Sequence, residues 1–121
     1  MVAHLRRSAE FKRVYQKGRR YEGLLMTAFV LAREEQGHRL GITVSRKTSA
    51  KAVARNRAKR LLREAFRLES SSLGALKHSY DWVLNGRQAI VSVKITETLN
   101  EFQRIVVRVA ADEKALGKTS L

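Results

Sequence analysis

At 121 residues, 44% of them hydrophobic, the chain is sized for a single domain, residues 1–121, around a moderate core. It has no cysteine, which excludes disulfides, thiolate metal sites and cysteine nucleophiles and fits a reducing, cytoplasmic setting. Its 25 Lys and Arg against 11 Asp and Glu leave a formal net charge of +14. Solubility needs far less charge, so the balance points to a polyanionic partner whose phosphates release counterions on contact.

In chain order, Ser8 is placed to cap a helix running to about Lys17, with Phe11, Val14 and Tyr15 on one face and Gly18 to stop it. Gly23 to Ala32 reads as a largely buried strand, Glu34 to Gly37 as a polar turn, and Arg39 to Val44 as a second strand close enough to form a hairpin with the first. The period turns helical from Lys51 to about Leu68. Ser70 to Gly74 is linker-like but too short to separate domains. A strand is expected at Tyr80–Leu84, then a turn at Asn85-Gly86, then a short extended piece at Ala89–Val93. Thr98 and Glu101 have capping-box spacing for a last helix with Leu99, Phe102, Ile105, Val106 and Val109 on its apolar side; from about Asp112 the end reads as frayed. The fold class is α+β, helices over a small sheet. No apolar run reaches the roughly 18–20 residues that cross a bilayer, and no signal-peptide pattern opens the chain, so a membrane is not expected as partner.

The informative segment is Lys51 to Leu68. At 100° per residue, Ala54, Ala58, Leu61 and Ala65 share a narrow arc, flanked by Leu62 and Leu68. Opposite lie Asn56, Arg60, Arg63 and Arg67, flanked by Arg55 and Lys59 on one side and Arg57 on the other. Ordinary solvated helix faces mix signs, because acid–base pairs at i,i+4 stabilise them. Glu64 is the sole acid between Lys51 and Arg67, so the ridge calls for an external polyanion. Guanidinium forks bind phosphate oxygens in pairs. The small apolar arc suits packing on a sheet better than insertion into lipid.

The run Arg55-Asn56-Arg57-Ala58-Lys59-Arg60-Leu61-Leu62-Arg63-Glu64-Ala65-Phe66-Arg67 resembles the RNR signature of the bacterial ribonuclease P protein family. The preceding Leu40–Lys47, the upstream Phe11-Lys12-Arg13-Val14-Tyr15 with Gly18, and the downstream Tyr80-Asp81-Trp82-Val83 are similar to the segments around that signature, so the likeness spans about residues 5–109 in unbroken order. The resemblance implies an α-β sandwich of order α-β-β-(β)-α-β-α, with helices on one mixed sheet and a left-handed crossover through the RNR helix. It implies a protein subunit assisting a catalytic RNA in removing the 5′ leader of precursor tRNA, within a 1:1 RNA–protein complex. Arg55, Asn56, Arg57, Lys59, Arg60, Arg63 and Arg67 would then face the catalytic RNA. Phe11, Tyr15 and Phe29 match the family's aromatic cleft for the leader, where bases stack with little regard to sequence. Arg46 and Lys47, at the strand-to-helix junction, are expected at the leader's phosphates. Arg6, Arg7, Arg19, Arg20 and Arg87 are candidates to extend the basic surface.

The residues suggest no protein-borne chemistry. His4, His38 and His78 are scattered, without the local spacing of a metal site. Asp81, Glu97 and Glu101 do not form a two-metal carboxylate set by spacing, and no Gly-rich phosphate loop or nucleophile elbow occurs. The resemblance implies that the RNA subunit performs the hydrolysis, with bound Mg2+ held mainly by RNA and substrate. The competing reading is a ribosomal or ribosome-associated RNA-binding protein, also small, basic and α+β. A stand-alone nuclease lacks its constellation, and a DNA-binding helix would leave Phe11, Tyr15 and Phe29 without a use.

Overall fold

The structure, a computed structural model, describes residues 2–118. A two-residue strand β1 (Ala3–His4) leads to helix α1 (Ser8–Lys17). A hairpin follows, made of β2 (Arg19–Glu22) and β3 (Met26–Arg33), and then β4 (Arg39–Thr43). Helix α2 (Ala52–Leu68) and a short α3 (Ser70–Gly74) connect to β5 (Ser79–Gly86). A 3-10 turn at Gln88–Ser92 precedes the long α4 (Ile95–Lys118). The five strands form one mixed sheet in the order β1-β4-β5-β3-β2.

That order corrects the expected hairpin. β3 and β4 are not neighbours, because β5 lies between them, antiparallel to β3 (Phe29 opposite Val83) and parallel to β4 (Gly41 opposite Val83). The central place suits β5, most of which is buried on both faces. Parallel neighbours need a long crossover, and α2 with α3 supplies it. The real hairpin joins β3 to β2, a four-residue edge strand.

Side-chain alternation splits the sheet into two faces. Met26, Ala28 and Val30 of β3, Leu40 of β4, and Tyr80, Trp82 and Leu84 of β5 point to the main core with Ala58, Leu62, Ala65 and Phe66 of α2 and Phe102, Ile105 and Val109 of α4. Trp82 sits at its centre, edge-on to Phe66 and Phe102 at 6.0 and 5.6 Å between centroids. On the other face Leu5, Val14 and Val83 make a smaller cluster, joined by Phe11, Phe29 and Leu31. α1 thus covers one side, α2 and α4 the other.

Other local readings change for physical reasons. Ser8 is the first helical residue of α1 and no cap; the Glu10 carboxylate accepts the N–H groups of Arg6 and Arg7 at 3.0 Å each. Asn85 and Gly86 continue β5, and the piece at 89–93 is mostly 3-10 helix. The linker-like serines are helical. α4 begins at Ile95, so Thr98 and Glu101 lie inside it. Thr98 donates back to the Lys94 carbonyl, while Glu101 caps a distant turn. Its buried carboxylate accepts the N–H groups of Leu24, Leu25 and Met26 at 2.8–3.1 Å. A Cβ on Gly23 would lie 2.5 Å from that carboxylate, so the turn needs glycine there. The helix also continues past Asp112, which binds the Tyr21 hydroxyl, and Glu113, which accepts from Lys77, His78 and the Tyr80 hydroxyl. The frayed end expected from Asp112 is therefore ordered helix as far as Lys118; residues 119–121 lie outside the described residues.

Candidate nucleic-acid interface

α2 keeps the expected ridge, with a small shift in the face beneath it. Ala58, Leu62, Ala65 and Phe66 are buried, whereas Leu61 is only partly so and Leu68 is exposed. Asn56, Arg60, Arg63 and Arg67 all face solvent. The structure then separates the basic residues by what already holds them. Arg55 donates to the carbonyls of Ser49 and Ala50 at 3.0 and 2.9 Å, folding the preceding loop onto the helix start. Arg57 reaches across to the carbonyls of Val91 and Val93, at 3.3 and 2.6 Å, and fastens the 3-10 turn to α2. Arg67 pairs with Glu64 one turn away. Among the described residues, the side chains of Asn56, Lys59, Arg60 and Arg63 have no hydrogen-bond or ion-pair partner. These four are the ones available to an outside phosphate.

The loop from Ser45 to Lys51 carries the chain from the end of β4 to the start of α2. The Thr48 N–H donates to the Ser45 carbonyl, and the Thr48 hydroxyl donates to the Gly86 carbonyl at the end of β5. Arg46 and Lys47 project from this turn and are exposed.

On the opposite face, α1 leans on the sheet through Phe11 and Val14. A Cβ on Gly41 would lie 2.6 Å from two ring carbons of Phe11, so the glycine lets that ring rest on the β4 backbone. Beside it runs an open groove of about 530 Å³ lined by Arg6, Ser8, Phe11, Lys12, Tyr15, Ile42 and Thr43. Tyr15 meets Phe29 edge-to-face, with centroids 4.9 Å apart, and the Arg20 guanidinium lies 5.7 Å from the Phe29 centroid. Tyr15 stays 38% exposed, its hydroxyl donating to Asn85 Oδ1 at 2.9 Å. Phe11, Tyr15 and Phe29 thus come together as expected. Arg46 and Lys47 stand apart, in the turn beyond β4, and do not line the groove.

Sequence reasoning missed Asn85, Thr43, Ile42 and Lys12. The Asn-Gly pair at 85–86 read as a turn; alternation continued from Val83 would have put Asn85 on the groove side. Of the five outlying arginines, Arg20 pairs with Glu22, and Arg87 donates to the Gly23 carbonyl.

The groove's geometry depends on how α1 is anchored. Arg39 of β4 grips Asp81 of β5 with two bonds, 2.7 and 2.8 Å, and places its remaining nitrogen 2.8 Å from Glu10 of α1. The N–H groups of Arg7 and Arg6, with the Arg39 charge, hold the Glu10 carboxyl at about 2, below its ordinary 4.5. Asp81 and Glu10 likewise push the Arg39 pKa upward.

Among the described residues, no group of three or more His, Cys, Asp or Glu side chains could hold a metal ion. The best-placed carboxylates are engaged: Asp81 by Arg39, Glu101 and Glu113 by backbone N–H groups. His38 is engaged too, its Nδ1 accepting from the Tyr80 N–H and the Trp82 indole at 3.1 Å each. Nε2 therefore carries the proton and donates to the Leu73 carbonyl at 2.9 Å. These donor sets do not fit a protein-borne magnesium centre.

A family model for ribonuclease P matches residues 2–110. The ribonuclease P protein component of Clostridium kluyveri is 33% identical over 105 residues, 87% of this chain and 92% of that protein. That of Clostridium acetobutylicum is 40% identical over 87 residues, 70% of each. The solved RNase P protein of Staphylococcus aureus superposes with a TM-score of 0.74 at 28% identity, covering 91% of this chain and 96% of that one.

Proposed function

The chain belongs to the bacterial ribonuclease P protein family, the protein component of an endoribonuclease of tRNA processing, and from that premise we propose that it binds the catalytic RNA through α2 and the 5′ leader of precursor tRNA in the groove under α1. The observation that carries this reading is the half-exposed Tyr15, propped edge-on against Phe29 and bonded to Asn85 beside an open, basic-rimmed groove. A ring kept in place but left accessible offers a stacking surface that tolerates any base, as a protein serving many leaders requires.

The contribution to cleavage is then electrostatic and geometric. Asn56, Lys59, Arg60 and Arg63, with Arg46 and Lys47 at the junction, offset repulsion between two RNAs. Leader contacts exist in the precursor and not in mature tRNA, so they favour substrate over product without a catalytic side chain on the protein. Magnesium belongs to the RNA subunit and substrate in this reading, and the protein acts as a monomer in a 1:1 complex in the cytoplasm.

The test is precursor-tRNA cleavage at low magnesium by a ribonuclease P RNA, with and without this protein. Strong rescue of correct 5′ cleavage, with none from protein alone, is the expected outcome. No rescue across several classes of that RNA would reject the assignment.

A further inference from the structure

Asn85 sits on the groove face of β5, opposite Thr43 on β4 and Thr27 on β3. Two hydroxyls converge on its Oδ1: Tyr15 Oη from α1 at 2.9 Å and Thr43 Oγ1 at 2.5 Å. The amide oxygen has two lone pairs and accepts from both hydroxyls at once. Trigonal geometry then turns Nδ2 away from both hydroxyls. Among the described residues Nδ2 has no hydrogen-bond partner, and the side chain is half-buried. The side chain is therefore locked in orientation while its two N–H donors are unused.

We propose that Asn85 is a specificity-determining residue of the groove, its Nδ2 donating to an acceptor on the edge of a single-stranded RNA base that stacks beside Tyr15. The proposal rests on the groove being the leader site. Tyr15 supplies a surface indifferent to base identity, and Asn85 supplies direction, since a donor is satisfied only by a ring nitrogen or carbonyl presented at one edge. Tyr15 and Asn85 act as one device: the hydroxyl that holds the amide belongs to the ring that carries the base. The groove thereby distinguishes a seated base from one merely nearby, without requiring a fixed leader sequence.

The test uses the holoenzyme assembled with a ribonuclease P RNA and precursor tRNAs whose leaders carry, one nucleotide at a time, base analogues lacking a single acceptor. With the native protein, one position should lose about tenfold in affinity and the others little, the scale of one hydrogen bond. Asn85→Asp keeps an acceptor for Tyr15 and Thr43 but presents no donor. It should weaken precursor binding by about tenfold or more, leave mature tRNA within about twofold, and abolish the effect of the sensitive analogue. Equal losses for precursor and mature tRNA would mark the added charge alone and overturn the proposal, as would a native protein indifferent to every analogue, a result that stands even if the variant does not fold. A native holoenzyme that fails to prefer precursor over mature tRNA would instead overturn the leader-site reading itself, and the role of Asn85 with it.

Discussion

The division of the α2 arginines into those held by the protein and those left to a partner has a measurable signature. Arg60 and Arg63 are exposed and unpaired among the described residues, so Arg60→Ala with Arg63→Ala removes two charges without disturbing a contact. If each meets one phosphate, the slope of log affinity for the catalytic RNA against log salt should become shallower by about 1.5–2. The affinity loss should be about 1–3 kcal/mol per residue, roughly five- to 150-fold each. Tm should stay within a degree or two of the parent, or rise slightly as like charges are removed. Arg57→Ala should behave oppositely. It releases the carbonyls of Val91 and Val93 and so costs about 1.5–3 kcal/mol of stability, several degrees in Tm, with little change in salt slope. Filter-binding titrations from low to high salt, paired with thermal melts, separate the two quantities. An unchanged slope for the Arg60/Arg63 variant, or a shallower slope with an unaltered melt for Arg57→Ala, would refute the partition.

Tyr15→Ala removes the accessible ring and the hydroxyl holding Asn85; precursor-tRNA affinity should fall by about 1–3 kcal/mol with mature tRNA nearly unaffected, and equal losses in a binding assay would indicate a packing defect. Leu62→Asp places a charge at a fully buried position of the main core, against Gly86 of β5. It should consume most of the roughly 5–15 kcal/mol of a domain's stability, whereas Leu61→Asp at the half-buried neighbour should still melt cooperatively; circular dichroism melts decide. Because Glu10 is held at about 2 against an ordinary 4.5, its stabilising contribution is complete above pH 4.5 and disappears as pH falls from there through 2. Glu10→Gln should flatten that part of the Tm-versus-pH curve, and an unchanged curve would remove the carboxylate from the anchoring of α1.

What could be read beforehand was local and periodic. The 3.6-residue pattern of α2 placed Asn56, Arg60, Arg63 and Arg67 on the solvent side, and all four are there. Its phase was off by part of a turn: the arc was centred on small residues, while Leu62 and Phe66 dominate the buried volume. Pairing between strands was not readable. β3 and β4 adjoin in sequence, but β5, arriving after two helices, separates them. Only the resemblance to a known family pointed to that sandwich. Ala3–His4 and Arg19–Glu22 are too short to show alternation. Glu101 shows why spacing misleads: three residues after Thr98 it mimics a capping box, yet its carboxylate serves N–H groups more than seventy positions away. Of the three aromatics expected in a cleft, Phe11 and Tyr15 line the groove and Phe29 stands behind Tyr15. Asn85 was lost because its identity and its glycine neighbour both favour turns, which cut short the alternation that would have carried it to the face of Val83; its register with Thr43 and Thr27 confirms that the strand continues.

The charge imbalance acquires a structural explanation once the acids are located. Glu101 and Glu113 accept backbone N–H groups inside the fold, Asp81 and Glu10 are bound by Arg39, and Asp112 receives the Tyr21 hydroxyl. These five carboxylates act as staples between elements distant in sequence: α4 to the β2–β3 turn, α4 to the start of β5, β4 to β5, α1 to β4, and β2 to α4. Asp81, Glu101 and Glu113 are buried and Glu10 and Asp112 partly so, which takes much of their charge off the surface. The outward faces of α2 and of the junction turn are left with cations that have few anions to answer them. Five of the eleven acids in the chain are engaged in this way, so few remain to answer the 25 Lys and Arg. The interactions that position α1 over the groove thus also leave the positive field of the exposed faces largely unanswered.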